Sequence, residues 1–443
     1  MRRLVNALAL ALLTACATTS GAGPKLTPRE EAMVQLRRGE TKAALGKLER
    51  LFEDSPSDLE LARALCEAHV QGGTQDLLLK RLEGQDTAIA HYMRGLLLFA
   101  SAADATGPAI DAFRRAQALS PDEPEFHYRL GVALLESEKD ADAIPVLKKA
   151  LALRPQKSSW QLPLAKALFR TNDTRGAIVA MRQFVDGNPS PAEVATAKAL
   201  MAQAADPFAQ FPQAARPRVE QGMQWLHVND VPQQAIVEFE TVLRDYPDLA
   251  VVHALLGLAY QRLDDAGRAV EEFKKAIELS PDDGKNHFYL AELYLGRQRA
   301  GAALEHYQKA VERNPLLTEA WGRLGDLALQ RANHNEAARC FRTAVLLEPL
   351  SATSRGKLAL AYQLLEDWPG AERELKAVVD KDPENLEFQL RLGILNAEHF
   401  KKARTADEKK KAASDAEEYL KKVLEAQPDN AIASAALQIV RGR

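Results

Sequence analysis

Prolines stand at residues 121, 155 and 189, and again at 247, 281, 315, 349 and 383, each step within a group being 34 residues. A fixed period of this length means that one small structural unit is copied along the chain, and a chain so built folds as a stack. The copies share more than proline. GRAVEEFKKAIELSPDD (267–283), GAALEHYQKAVERNPLL (301–317) and NEAARCFRTAVLLEPLS (335–351) keep their small and apolar letters in register and change the charged ones. Each reads as the end of a helix followed by a stop. Proline has no N–H to donate and disfavours helix in the residue before it. The composition, rich in Ala, Leu, Glu, Lys and Arg and poor in Val, Ile and Thr, carries the same helical bias.

With this proline numbered 32 in each unit, further positions align. Positions 7 and 8 are Leu130-Gly131, Leu256-Gly257, Leu324-Gly325 and Leu392-Gly393, and position 11 is Tyr260, Tyr294 and Tyr362. Position 20 is Ala143, Ala177, Ala235, Ala269, Ala303, Ala337, Ala371 and Ala416. Position 24 is Phe239, Phe273, Tyr307 and Phe341, and position 27 is Ala150, Ala276, Ala310 and Ala344. The pattern resembles the tetratricopeptide repeat, a helix–turn–helix unit. That resemblance implies an all-α solenoid, a right-handed superhelix in which small residues at 8, 20 and 27 let paired helices approach while the large ones fill the space between. Stacked units bury only what their neighbours cover, so packing residues recur and exposed ones drift.

Eleven units are expected, in two arrays. The N-terminal array, 25–205, holds five repeats and a capping helix at 192–205; residues 206–215 form a linker; the C-terminal array, 216–443, holds six repeats and a capping helix at 431–441. Unit eleven carries extra residues around KKARTADEKKK, expected to lengthen its helical hairpin.

The amino end is different in kind. Met-Arg-Arg precedes LVNALALALL (4–13), an apolar stretch too short to span a bilayer, which needs roughly 20 residues, and suited to a signal peptide. It runs into Leu13-Thr14-Ala15-Cys16, which resembles the lipobox of bacterial lipoproteins. The resemblance implies removal of residues 1–15, a covalent lipid on Cys16 and a lipidated tether over 16–24. By the family's sorting rule, Ala17 then points to the outer membrane, facing the periplasm. Ordinary cleavage after Ala17, with Ala15 and Ala17 as the small pair, is the alternative.

Little else in the chain suggests chemistry. The net charge is −3 and no stretch is basic enough for a phosphate-neutralising face, which argues against nucleic acid as the main partner. There is no P-loop, G-x-G-x-x-G, G-x-S-x-G or HExxH, and the 24 residues from 192 to 215 leave no room for a catalytic domain. No enzyme activity, cofactor or small-molecule substrate is expected. His127, His253 and His287 all fall at position 4 of different units, a packing pattern instead of a metal set. Cys66 and Cys340 fit packing positions far apart in the array.

In the tetratricopeptide family helix A positions 2, 5, 9 and 12 line the concave face. In the first array these include Tyr92, Phe99, Tyr128, Val132, Leu135, Leu162 and Phe169. In the second they include Leu258, Phe288, Glu292, Leu295, Asp326, Leu360, Leu390 and Ile394. Such a groove, apolar and aromatic with scattered acids, suits an extended or helical protein segment; the alternative is that half of these residues pack against the facing helix. The expected function is a membrane-anchored scaffold for protein partners. Lipoproteins of this build resemble type IV pilus assembly factors that bring secretin subunits to the outer membrane. Exopolysaccharide-export lipoproteins, and then gliding-motility or envelope-maintenance components, are the other readings; a periplasmic hydrolase, from a different class, would need converging acids or a Ser–His pair that the sequence does not offer.

Overall fold

A computed structural model describes residues 26–101, 106–204 and 211–442; Cys16 and the tether lie outside them. Every regular element among the described residues is helical. In chain order the first units contain α1 (Pro28–Arg37) and α2 (Thr41–Asp54), α3 (Leu59–Gln71) and α4 (Gln75–Arg81), α5 (Ala88–Ala100) and α6 (Thr106–Leu119), α7 (Pro124–Glu136) and α8 (Asp140–Leu153), and α9 (Gln161–Arg170) and α10 (Thr174–Asp186). A single helix, α11 (Pro191–Ala204), follows. The later units contain α12 (Arg216–His227) and α13 (Pro232–Asp245), α14 (Ala250–Arg262) and α15 (Ala266–Leu279), and α16 (Gly284–Gly296) and α17 (Ala300–Arg313). Then come α18 (Thr318–Gln330) and α19 (His334–Leu347), α20 (Ala352–Leu364) and α21 (Trp368–Val379), α22 (Leu386–Lys402) and α23 (Ala406–Ala426), and finally α24 (Ala431–Arg441). The helices follow the register set by the prolines.

The turn between helices A and B shows how a unit closes. At position 15, Glu138, Asn172, Asp230, Asp264, Gln298, Ala332 and Glu366 have φ of 53° to 61°, the left-handed region, and Gly39 and Gly73 occupy the same place at 75° and 66°. The next N–H then reaches back to a carbonyl that the helix end leaves unpaired: Thr74 to His69 at 2.8 Å, Asp265 to Tyr260 at 3.0 Å, Asp367 to Tyr362 at 2.9 Å. Asp265, Asn333 and Asp367 cap helix B in turn, accepting from the N–H of Arg268, Glu336 and Gly370. A left-handed alanine costs roughly 1–2 kcal/mol, more than the 0.5–1 kcal/mol of extra chain freedom that glycine loses. Ala332→Gly is therefore expected to raise stability by about 0.5–1 kcal/mol in denaturant unfolding. A loss would mean that the turn in solution is not left-handed.

Within a unit, position 8 meets position 24. A Cβ on Gly257 would lie 2.7 Å from the Phe273 ring, one on Gly325 2.4 Å from Phe341, and one on Gly131 2.5 Å from Leu147. The alanines at position 20 are fully buried, Ala303 among them. These contacts set how closely the two helices lie. Cys66 and Cys340 are buried free thiols, and burial raises the pKa of both.

The described chain divides into two compact units at Thr171/Asn172, which differs from the expected boundary at 206–215. Helices α10 and α11 belong with the second unit. Arg182 donates to the Glu312 carbonyl at 3.0 Å, and Lys198 pairs with Glu348 at 3.4 Å. The described end of the expected linker packs into the core. Phe211 and Ala215 are buried with Val219 and Phe239 in the core around α12 to α16, because the aromatic ring finds apolar neighbours there.

Candidate partner-binding grooves

The structure sorts the expected groove residues by exposure. Phe99, Tyr128, Val132, Leu162, Phe169, Leu258, Phe288, Leu295, Leu390 and Ile394 are partly exposed, and Leu360 is 44% exposed. Two do not present a face to a partner. Tyr92 is 0% exposed, with its ring 5.2 Å from Phe126 and 6.3 Å from Phe113, since the irregular third unit turns it into the core. Leu135, in the last turn of α7, is buried together with Ala133 and Leu134.

The two expected acids are present but engaged. Glu292 accepts both Nε and Nη2 of Arg323 at 2.8 Å, and accepts the Tyr307 hydroxyl as well. Asp326 pairs with Lys357 at 2.7 Å. In each case position 6 of the next unit supplies a cation that reaches position 9. Arg129, Arg323, Lys357 and Arg391 all stand at position 6, a recurrence visible in the sequence that the reading of positions 2, 5, 9 and 12 passed over. The expected acidic spots are therefore ion pairs that join neighbouring units.

In the first compact unit, residues from α3, α5, α7 and the turn before α9 enclose a recess of about 720 Å³. Tyr92 lies at its floor, with the hydroxyl 3.5 Å from Glu125. Tyr128 stacks on Trp160 at 4.5 Å and 9°, with the Arg129 guanidinium 5.5 Å from the tyrosine ring and that of Arg154 5.8 Å from the indole. Cations held over aromatic faces are attracted by the ring quadrupole, so the stack fixes both guanidinium groups in place. Arg129 also pairs with Glu125 at 2.9 Å and Arg154 with Glu123 at 3.7 Å, while Arg29 pairs with Asp58 and Glu60. Burial pulls the Arg129 pKa down, but Tyr92 and Glu125 outweigh it and the net shift is upward.

Charge in this recess does not cancel. Its lining holds five cations, Arg29, Arg63, Arg129, Arg154 and Lys157, against Asp58, Glu60 and Glu125 in the lining and Glu123 beside it, the partner of Arg154. Arg63 and Lys157 are exposed and have no ion-pair partner among the described residues. Sequence reasoning missed Trp160 because it stands at position 3 of its unit, outside positions 2, 5, 9 and 12, in a short 3₁₀ turn, Ser158–Trp160, before α9. In the second unit a smaller notch of about 200 Å³ brings Leu360 and Ile394 together with Gly356, Gln363 and Arg391.

Position 4 has a role of its own. His127 Nε2 lies 2.7 Å from the Pro121 carbonyl and His253 Nε2 2.9 Å from that of Pro247. Trp321 Nε1 donates to Pro315 at 2.9 Å and Arg355 Nε to Pro349 at 2.8 Å, and the Gln389 amide does the same to Pro383. The side chain at this position is an N–H donor that satisfies a carbonyl left open where the preceding helix stops. His287 departs from the rule, facing His306 with Nδ1 to Nδ1 at 3.1 Å. Among the described residues no group of His, Cys, Asp and Glu is placed to hold a metal ion.

Stacked two-helix units bearing an unevenly charged recess define a protein-interaction scaffold of the α-solenoid class. Models of the tetratricopeptide repeat match residues 108–158, 254–318 and 357–431, 134–203, and 318–349, together more than half of the 443 residues. The chain belongs to the tetratricopeptide repeat family. No curated protein matches it in sequence. Among solved structures, "YrrB: a TPR protein with an unusual peptide-binding site" is 18% identical, covering 45% of this chain and 96% of its own, with a TM-score of 0.39. PilF of Pseudomonas aeruginosa is 18% identical over 50% of this chain and 96% of its own, at a TM-score of 0.40. The Cut9–Hcn1 assembly of the APC/C is 13% identical over 93% of this chain and 95% of its own, at 0.37.

Proposed function

We propose that this chain is a lipid-anchored scaffold of a bacterial envelope that binds an acidic stretch of a partner protein in the recess of its first unit and helps assemble an outer-membrane complex. The observation that carries the binding half is the excess of cations. Arg63 and Lys157 wait beside an aromatic stack with no carboxylate of their own. An exposed cation beside water gains little, but one covered by a partner's carboxylate supplies a charge-assisted hydrogen bond. The anchoring half rests on LVNALALALLTAC (4–16), and the lipid on Cys16 would hold the chain at the outer membrane, facing the periplasm. A type IV pilus secretin is the partner complex that lipoproteins of this build suggest. Exopolysaccharide export is the second reading, favoured by the length of the repeat run.

The binding half is tested with two labelled peptides, one of repeated Glu-Glu-Phe and one of repeated Lys-Lys-Phe, followed by fluorescence anisotropy. The acidic peptide is expected to bind more tightly, and the pair Arg63→Glu with Lys157→Glu to weaken it by at least about tenfold, about 1.4 kcal/mol. The melting curve should not move, because both side chains are exposed. Equal binding of the two peptides ends this reading. The anchoring half is tested by Cys16→Ser and membrane fractionation. Normal pelleting of the variant after removal of residues 1–15 would refute the lipid. Cross-linking in intact cells then separates the complexes: a secretin or pilus component supports the first, a porin or polysaccharide synthase the second.

A further inference from the structure

The last hairpin is longer than its neighbours. Helices α22 and α23 have 17 and 21 residues, where α16 and α17 have 13 and 14. Both keep their ordinary outer ends, the Asn385 cap and the stop before Pro428, so the added residues fall at the turn. At about 1.5 Å per residue the turn is carried roughly 6–10 Å beyond those of the other units.

This tip is basic. Lys401, Lys402, Arg404, Lys409, Lys410 and Lys411 are all exposed, against two acids, Asp407 and Glu408. Glu408 keeps its charge but turns to the backbone, accepting the N–H groups of Arg404 at 3.0 Å and Thr405 at 3.2 Å in a capping box. Lys402 pairs with Glu366 at 2.9 Å. The remaining Lys401, Arg404, Lys409, Lys410 and Lys411 have no ion-pair partner among the described residues. The contrast with the same helix is local. One turn and more further on, Lys421 pairs with Glu417 at 2.7 Å and Lys422 with Glu418 at 2.9 Å. A chain of net charge −3 thus gathers unbalanced positive charge at the end of an inserted projection.

We infer that this hairpin tip docks on the headgroup surface of an anionic phospholipid bilayer. A protein partner would need an apolar or aromatic anchor at the centre of its interface. The one aromatic at the tip, Phe400, is only partly exposed, and the exposed large apolar side chains nearest to it in sequence are Leu364 and Ile432. A headgroup surface needs only charge. Lysine suits it, being a mobile point charge, where the paired donors of arginine favour fixed phosphate geometry, and five of the six tip cations are lysines. The inference rests on the envelope reading only for its setting. A bacterial lipoprotein's two or three acyl chains already hold it, so the tip would set how the last hairpin lies against the bilayer.

The test uses the chain from residue 16 on, carrying Cys16→Ser, so that neither a lipid nor the apolar segment 4–13 contributes, sedimented with vesicles of phosphatidylglycerol and phosphatidylcholine or of phosphatidylcholine alone. Binding to the anionic vesicles is expected at low salt and should vanish near about 0.5 M salt, where screening is nearly complete. Each near-surface cation multiplies partitioning about fivefold, so Lys409→Gln, Lys410→Gln and Lys411→Gln together should lower it roughly 100-fold. These side chains are exposed, so the melting curve serves as the folding control. Equal binding to both vesicles, or unchanged binding by the triple variant, overturns the inference. So does an oligonucleotide that binds more tightly than the vesicles, or inorganic phosphate that competes beyond its ionic strength. The Arg63 and Lys157 variant should bind vesicles normally, which keeps failure here distinct from failure of the recess.

Discussion

Replacing Phe273 by alanine is expected to cost about 3–5 kcal/mol and to open the repeat stack locally before the rest of it melts. The ring is 0% exposed, sits against the glycine backbone at 257, and lies 6.0 Å from the ring of Tyr289 on the next unit. Truncation removes contacts on both sides at once, and the helix backbones cannot close the gap without shifting a hairpin that already packs on its neighbours. In a solenoid each unit touches only the units beside it, so the damage should stay near its source. Hydrogen exchange should show α14, α15 and α16 losing protection first while α22 to α24 keep theirs. Val237→Ala, at a side chain 56% exposed, is the control and should stay within about 0.5 kcal/mol. If the two variants behaved alike, the packing register described above would be wrong.

Stability is also expected to fall as the pH is lowered from about 6.5 to about 4, the interval between the ordinary and the folded-state pKa of His287. Burial depresses this pKa first, then the facing His306, then Lys309 and Arg313, with only Glu305 opposing. His287 is 7% exposed and shares one short contact with His306, whose own pKa is lowered. Between those pH values the unfolded chain takes up a proton that the folded chain refuses, so stability rises with pH across the window and is flat above it. The contribution is on the order of 3 kcal/mol. His253 has the opposite sign: burial lowers its pKa, but Glu272 and the Pro247 carbonyl raise it further, so its contribution is lost as pH rises. His287→Gln puts at position 4 the residue that Gln389 already supplies in unit eleven, and should flatten the acid slope. An unchanged slope in urea unfolding at several pH values would remove His287 as its cause.

The binding surface was only partly legible. Tyr128 was named from its position and does line the recess, yet Arg63, Arg129, Arg154, Lys157 and Trp160 were not. Glu292 and Asp326 were named as open acids and are tied to Arg323 and Lys357. Such pairs join residues about one repeat apart, so whether a given carboxylate is free depends on how the next unit lies against it. The same holds for the histidines at position 4. Their spacing pointed to packing, but only the fold showed His127 and His253 donating to the proline carbonyl six residues back and His287 facing His306 instead.

By itself the sequence determined the helical class, the repeat register and nearly every helix end. Proline, glycine and the small residues act through the few residues around them, and a 34-residue period repeats that local instruction. Tertiary structure decided the left-handed turn at position 15 where the residue is Ala, Gln or Glu, the placing of α10 and α11 with the second unit, and which charges remain without a partner. The turn is set when helices A and B of one unit pack together, while the other two depend on groups brought together from different units, and charge is balanced or left over only when the units have stacked.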